Sequence, residues 1–416
     1  MADIYDIIIV GGGPGGLSAA IYGSRAKLKT LVIEKAKTGG QAATTWDMEN
    51  YPGFFAAGEG STGLSEVTGP GLMEAFTRHA EHFGAEFARN EVVSIDSAAK
   101  TVTGKDGTVY RGRSIILSPG AIPRTLGVKG ERALRGKGVS YCATCDADFF
   151  SELDIIVVGN GDAAIEEANY LTKFAESVTI IVIHDEGTLD AAPMLQERAY
   201  KNPKIKFVWN STIEEIKGDG LVESVVLKNI KTNEFTEMET NGVFIYVGTI
   251  PQTTFLGDQV ELDARGYIDT DNCMETSAEG VFAVGDARVT PLRQVITAAA
   301  DGAVAAVAAE KYLIEEEGFR DTVLLEQRPV AVLFWTPMSQ KCLSMMPMME
   351  AAVQLFDDKV KLWKLDTYRN QRVAKRYGVS ANPTILIFHN GELMQLLAED
   401  EITPESIASA LGNLLN

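Results

Sequence analysis

Cysteine is scarce in this chain, with four in 416 residues, too few for the disulfide framework that holds small secreted domains together. Long apolar runs are missing too. The longest, "QVITAAADGAVAAVAAEKYL", is Ala-rich and interrupted by Asp301, which argues against a bilayer-spanning helix. The opening "MADIYDIIIVGGG" carries Asp3 and Asp6 where a secretory leader would carry positive charge, and its apolar run is only strand-length. A cytoplasmic protein without a membrane partner is expected. Positive charge is also in deficit, with 38 Lys and Arg against 57 Asp and Glu and a formal net charge of -19. A surface of that sign excludes nucleic acid as a partner, because binding it requires cationic side chains that displace counterions.

The deficit is uneven. From Val330 onward 8 Lys and Arg face 9 Asp and Glu, so nearly all of the negative charge lies on residues 1–329. One basic stretch interrupts that field, holding Arg111, Arg113, Arg124, Lys129, Arg132, Arg135 and Lys137 against a single acid, Glu131. It reads first as a solvated face. A hydrophobic content of 45% over this length is enough for two or three domains with cores of their own.

Two glycine-rich turns follow strand-like apolar runs. In "YDIIIVGGGPGGLSAAIYGSRAKLKTLVIEK", Gly11, Gly13 and Gly16 form G-x-G-x-x-G directly after a strand, and Glu34 ends the next β-run. That is a dinucleotide fingerprint: the glycines permit a tight turn and close approach to a pyrophosphate, and the acid accepts a ribose hydroxyl. In "LDIIVVGNGDAAIEEANYL", Gly159, Gly161 and Ala164 repeat the strand-turn-helix setting. A third element, "VFAVGDARVTPLRQVITAAADGAVAA", places Gly285 and Asp286 between a strand and a long helix, consistent with a return to the first fold.

Cys142 and Cys145 make a C-x-x-C in "YCATCDADFF", between the two nucleotide folds. A structural zinc site would need two more Cys or His at ordered spacing, and none stands near, so no metal is expected. A dithiol/disulfide pair fits better, with one thiol of lowered pKa and Asp146 placed to carry protons. Cys273 has no partner in the sequence and reads as a buried apolar side chain. His79 and His82, three apart on a helix, read as a solvated face.

Together these features resemble the low-molecular-weight thioredoxin reductases. The resemblance spans residues 5 to 315 and rests on "GGGPGG", "TGGQAATTWDMENYPGF", "GVSYCATCD", "GNGDAA", "GVFAVGD" and "RQVITAA", in the family's order. It implies FAD as cofactor, contacted by Gly11, Gly13, Gly16, Glu34, Gly40, Gln41, Asn50, Asp286, Arg293 and Gln294. It implies Cys145 as the thiol nearest the isoalloxazine, Cys142 as the exchange thiol, Asp146 as acid/base, a thioredoxin-type protein as acceptor, and a homodimer. Hinges are implied at residues 119–123 and 246–251, and the basic stretch becomes a candidate docking surface.

One departure concerns the electron donor. Where the NADPH-using family carries H-R-R-x-x-x-R-A, this chain has "HDEGTLDA", so Asp185, Glu186 and Asp190 replace three arginines. Arginine suits a 2′-phosphate for its fork of donors, and acids repel it, which disfavours NADPH. An acid after this strand can instead hold a free ribose 2′-hydroxyl, making Asp185 a candidate NAD ligand and NADH the preferred donor. A protein donor such as ferredoxin is the alternative.

Residues from about 325 onward resemble a thioredoxin domain, with "PVAVLFWTP" as central strand and Pro383 at the cis-proline position. Aligned on F-W-x-x-x-C-G-P-C, Ser339 takes the place of the nucleophilic cysteine and Cys342 that of the resolving one, while Leu333 replaces the buried acid. A serine forms no disulfide, so this loop is not expected to run dithiol exchange. Three accounts stand: a degraded fold kept for docking or for covering the flavin, an engineered Cys-to-Ser change, or Cys342 acting alone with Cys142. The changes at Leu333, Gln340 and Lys341 favour the first. The expected fold class is α/β: a FAD domain over 1–120 and 247–317, an inserted NAD(P)-binding-like domain over 121–246, a linker over 318–329, and a thioredoxin-like domain over 330–416.

Overall fold

Ile7, Ile8 and Ile9 are fully buried, because their strand, β1 (Ile4–Val10), runs through the middle of a sheet covered on both faces. Burying each such side chain contributes roughly 1.5–3 kcal/mol, so this strand anchors the first fold. β1 pairs in parallel with β2 (Thr30–Glu34) and β6 (Val109–Leu117). β3 (Glu86–Arg89) lies beyond β2, and β17 (Val281–Ala283) joins β6 in parallel. β4 (Val92–Asp96) and β5 (Thr101–Gly104) extend the sheet antiparallel. Helix α1 (Pro14–Arg25) connects β1 to β2, and α2 (Gly69–His82) is capped by Thr68, whose hydroxyl accepts from Gly71 N at 3.1 Å. The computed structural model describes residues 3–44, 48, 50–54 and 68–415, and they divide into two units, Met1–Ala309 and Glu310–Asn416.

Within the first unit, β7 (Ala121–Pro123) pairs antiparallel with β16 (Thr249–Pro251). The chain thus leaves the first fold and re-enters it through one two-stranded ribbon, formed by the segments that flank the insert. Between them a parallel sheet runs in the order β11-β10-β9-β15-β8. Its strands are β8 (Val139–Ser140), β9 (Asp154–Val158), β10 (Ser177–Ile181), β11 (Ile205–Val208) and β15 (Gly242–Ile245). The short α3 (Ala143–Asp146), then α4 (Asp162–Leu171) and α5 (Pro193–Lys201), belong to the same fold. A meander of β12 (Ser211–Lys217), β13 (Ser224–Asn229) and β14 (Phe235–Glu239) completes it.

Helix α6 spans Val295–Phe319 and continues as a π-helical turn over Arg320–Leu324. Residues 318–329, expected to be a linker, are therefore helical through Leu324, and this corrects the boundary. The cause is packing inside the second unit. Phe319 and Val323 are fully buried there, with the Phe319 ring 5.7 Å from Phe388 and 5.3 Å from Tyr377. The second unit carries a sheet ordered β19-β18-β20-β21, built from β18 (Val330–Trp335), β19 (Lys361–Asp366), β20 (Thr384–His389) and β21 (Glu392–Leu397). Helices α7 (Gln340–Gln354), α8 (Gln371–Arg376) and α9 (Pro404–Leu415) accompany it. Glu315 pairs with Arg372 at 3.0 Å and Glu316 with Arg376, tying the end of α6 to α8. Among the described residues no helix is long and apolar enough to cross a membrane.

Candidate redox-active site

The first glycine turn is shaped as a dinucleotide cradle. Gly11 has φ +103°, and a Cβ there would lie 2.1 Å from Ser118 O, so only glycine fits. A Cβ on Gly13 would meet nothing within 4 Å, which leaves open space at the N-terminus of α1, where no side chain caps the helix. Free N–H groups beside open space suit a pyrophosphate. Glu34 ends β2 with Oε2 accepting from Gly12 N at 2.8 Å and Oε1 from Ala36 N at 3.1 Å, which fixes an acid beside the turn. Gly40 and Gln41 begin a 3₁₀ turn over Gly40–Thr44, and Gly39 N donates to Gly12 O at 2.7 Å, folding this segment against the cradle. These residues fit FAD.

The third element supplies the other side. Burial pushes the Asp286 carboxyl up to about 6, against the pull of Arg293 and with a further push from Asp301. Asp301, noted in the sequence only as an interruption, accepts from Arg288 Nε and Nη2 at 2.7 and 2.9 Å and from Gly285 N at 3.1 Å. That buried pair sets the loop carrying Asp286. Arg293 lies over the Tyr267 ring, 4.5 Å from its centroid. Gln294 bridges the two folds: its Oε1 accepts from Asn50 Nδ2 at 3.0 Å, and its Nε2 donates to Thr144 Oγ1 at 3.0 Å and lies 4.0 Å from Cys142 Sγ.

Cys142 and Cys145 are joined as a disulfide, with Cα atoms 5.3 Å apart. The peptide N–H groups of Cys145 and Asp146 both donate to Cys142 O, at 3.3 and 3.2 Å, closing the turn. Two hydroxyls hold it from behind. Tyr246 OH accepts from Ala143 N at 2.5 Å, and burial raises its pKa well above the ordinary range, so it stays a neutral hydroxyl. Ser140 accepts from Cys142 N at 3.1 Å and donates to Asp146 Oδ2 at 2.5 Å. The sequence assigns neither residue a role: Ser140 ends β8 inside "GVSYCATCD", and Tyr246 arrives from just beyond β15, about a hundred residues away. Among the carboxyls nearby, Glu167 is raised, chiefly by burial and then by Glu166.

The second glycine turn opens α4 with Gly161 at its uncapped start, and a Cβ at Gly161 would meet nothing within 4 Å. Ala164 is fully buried and a Cβ on Gly159 would approach Tyr246 O to 2.4 Å, so these two positions serve close packing. Asp190 accepts from Asn160 Nδ2 at 3.1 Å, and Asp185 is ion-paired with Lys231. Asp185 is thus held below the usual carboxylate range, first by the Lys231 hydrogen bond.

The basic stretch is not one free face. Arg113 pairs with Asp6 at 3.0 Å and Lys129 with Glu215 at 2.6 Å. Arg135 lies over the Tyr141 ring and donates to Gln41 Oε1 at 3.2 Å, reaching the FAD cradle. Its single acid, Glu131, is buried and accepts from Leu126 N, Gly127 N and Tyr141 OH at 2.9, 2.8 and 2.7 Å. Cys273 is exposed, correcting the expectation that it is buried: it sits in a turn where Asp271 Oδ1 accepts its N–H at 2.8 Å. His79 and His82 are exposed on α2, next to Phe83.

In the second unit the Asn382–Pro383 peptide bond is cis. Ser339 caps α7, its hydroxyl accepting from Cys342 N at 3.3 Å, while Cys342 and Leu333 are fully buried. The hydroxyl therefore serves as a helix cap, and the thiol is covered from solvent.

Residues 5–302 match the family model described as pyridine nucleotide-disulphide oxidoreductase, and residues 310–412 match the thioredoxin model. The chain is 50% identical over 321 residues to thioredoxin reductase of Peptoclostridium acidaminophilum, covering 75% of this chain and 98% of the relative. It is 44% identical to the Bacillus subtilis thioredoxin reductase over 314 residues, covering 75% and 96%. The crystal structure of thioredoxin reductase from Streptococcus pyogenes MGAS5005 superposes with a TM-score of 0.69 at 40% identity, over 76% of this chain and 99% of that one. On these matches, with a bonded Cys142–Cys145 pair beside a dinucleotide cradle, the chain belongs to the pyridine nucleotide-disulphide oxidoreductase family, with a thioredoxin domain at its C-terminal end.

Proposed function

We propose that this protein is a thioredoxin-reductase-like flavoenzyme that takes electrons from NADH in preference to NADPH and delivers them to a thioredoxin-type protein disulfide. The observation that carries the reading is the Cys142–Cys145 disulfide held against Gln294, the residue that also binds Asn50 on the cradle side. FAD, when bound, supplies reversible two-electron transfer between a nicotinamide and a disulfide. Gly11, Gly13, Gly16, Glu34, Gly40, Gln41, Asn50, Asp286, Arg293 and Gln294 would hold it. Two electrons and two protons convert the disulfide into two thiols, and Asp146 gives and takes the proton at the sulfur. Cys142, as thiolate, attacks the acceptor disulfide and forms a mixed disulfide. Cys145 then displaces it, restoring the Cys142–Cys145 bond and releasing the acceptor as a dithiol.

The NADH preference rests on Asp185, Glu186 and Asp190 standing where arginines would receive a 2′-phosphate, with Gly159 and Gly161 still shaping the turn. The protein works as a homodimer, by analogy with its family. Anaerobic titration of the FAD-loaded protein with NADH, NADPH and reduced ferredoxin is the test. Bleaching of the flavin band by NADH at lower concentration than NADPH is the expected result. Bleaching by ferredoxin alone would replace this reading with a protein-donor reductase.

A further inference from the structure

Lys231 brings a cation to the position from which the sequence has removed an arginine. It sits on the turn between β13 and β14, with Nζ ion-paired to Oδ1 of Asp185. The backbone builds this encounter. Asn210 N–H donates to His184 O at 2.9 Å and Ile230 N–H donates to Asn210 O at 2.8 Å, so the end of β10, the β11–β12 turn and the β13–β14 turn converge on residue 185. Asn210, with φ +52°, makes the turn that permits this. The tip is fixed in its own right, since Asn229 Oδ1 accepts from Lys231 N and Thr232 N at 2.9 and 3.0 Å. The other acids stand differently. Asp190 is engaged by His184 Nε2 and Asn160 Nδ2, each at 3.1 Å, and Glu186 is exposed.

We propose that Lys231 is a specificity residue of the nucleotide site: its pairing with Asp185 withholds it from a 2′-phosphate while leaving the carboxylate able to accept a ribose 2′-hydroxyl. The inference rests on the reading that the donor is NADH. A carboxylate has about four lone-pair sites, so Lys231 and the Asn210 side chain, which also bonds Asp185, leave others for a hydroxyl. A 2′-phosphate would have to displace Asp185 from Lys231 and then lie beside an unpaired carboxylate, which is selection by repulsion. With the charge at 185 removed, the same lysine becomes a phosphate ligand.

The test uses the FAD-loaded full chain and titration calorimetry with two probes, 5′-AMP and 2′,5′-ADP, on the native protein, Asp185→Asn, Lys231→Met and the double variant. Asp185→Asn is expected to raise the affinity for 2′,5′-ADP relative to 5′-AMP by roughly tenfold or more, the size of a charge-assisted hydrogen bond. Adding Lys231→Met is expected to remove that gain. An unchanged ratio in Asp185→Asn, or a gain that persists in the double variant, would overturn the assignment. Flavin absorbance establishes that each variant is folded. Preferential reduction of the native flavin by NADPH would instead sink the NADH reading, and the four-protein comparison of probe affinities would still decide the role of Lys231.

Discussion

The hydroxyl of Ser140 is shared between two parts of the redox centre, donating to Asp146 at 2.5 Å and accepting from the amide of Cys142 at 3.1 Å. A hydroxyl has one hydrogen to give, and here the carboxylate takes it, so the orientation of Asp146 is tied to the disulfide hairpin. Ser140→Ala should slow thiol-disulfide exchange by roughly tenfold through lost positioning and move the acid limb of the pH-rate profile. Ser140→Thr, which keeps the hydroxyl, should restore both. A Ser140→Ala enzyme with an unshifted profile would reduce Ser140 to a packing role.

Asp286 makes stability depend on pH in a defined window. Its carboxyl is raised by burial from 3.8 to about 6, so the folded chain binds the proton more tightly than the unfolded one. Stability is then lost as pH climbs from about 4 to about 6, and the penalty is complete above that. The separation corresponds to at most about 3 kcal/mol. Urea denaturation of flavin-free protein should show Asp286→Asn more stable than the native chain at pH 7 and indistinguishable from it below pH 4. An advantage of equal size at both pH values would remove titration as the cause.

Much of the site was legible because its signals are local. The turns at Gly11–Gly16 and Gly159–Ala164, the acid Glu34 and the C-x-x-C each occupy a few consecutive positions whose chemistry follows from spacing. Tyr246 and Lys231 were not legible, since they reach the functional residues only through the packing of a sheet or the placement of a hairpin, whereas Ser140 stands within six residues of both its partners and only the fold of the local turn shows its bonds. Cys273 departs from the rule that free thiols are buried because the polar "DTDNC" around it forms an exposed turn. The segment at 318–329 reads as a linker because it falls between the long Ala-rich helix and the strand "PVAVLFWTP". Phe319 and Val323, four apart and hence on one helical face, are the sequence's sign of a packed helix there.

Thiol accessibility distinguishes the two cysteine settings. After reduction of the native protein, Cys142, Cys145 and the exposed Cys273 should react readily with an aromatic disulfide reagent, while Cys342, fully buried, should not. Of four cysteines, the last should become reactive only on unfolding. Ready reaction of Cys342 in the folded state would revive it as a monothiol partner of Cys142.

The relatives align over nearly their whole length with about three quarters of this chain, 98% of the Peptoclostridium acidaminophilum protein matching 75% here, so flavin binding should not need the thioredoxin domain. Removal of residues 325–416 should leave the flavin-to-protein ratio and the nucleotide response intact. It would, however, strip the packing partners from Phe319 and Val323, both fully buried in the second unit, and exposed apolar side chains promote association. A chain ended at Gly318 should therefore stay monodisperse where one ended at Leu324 self-associates, as light scattering would report. In the full chain, Phe319→Ala should destabilise the second unit by roughly 3–5 kcal/mol through the cavity it leaves among Trp363, Tyr377 and Phe388, with flavin retained. Loss of FAD from either truncated chain would make the C-terminal domain part of the cofactor site rather than an appendage to it.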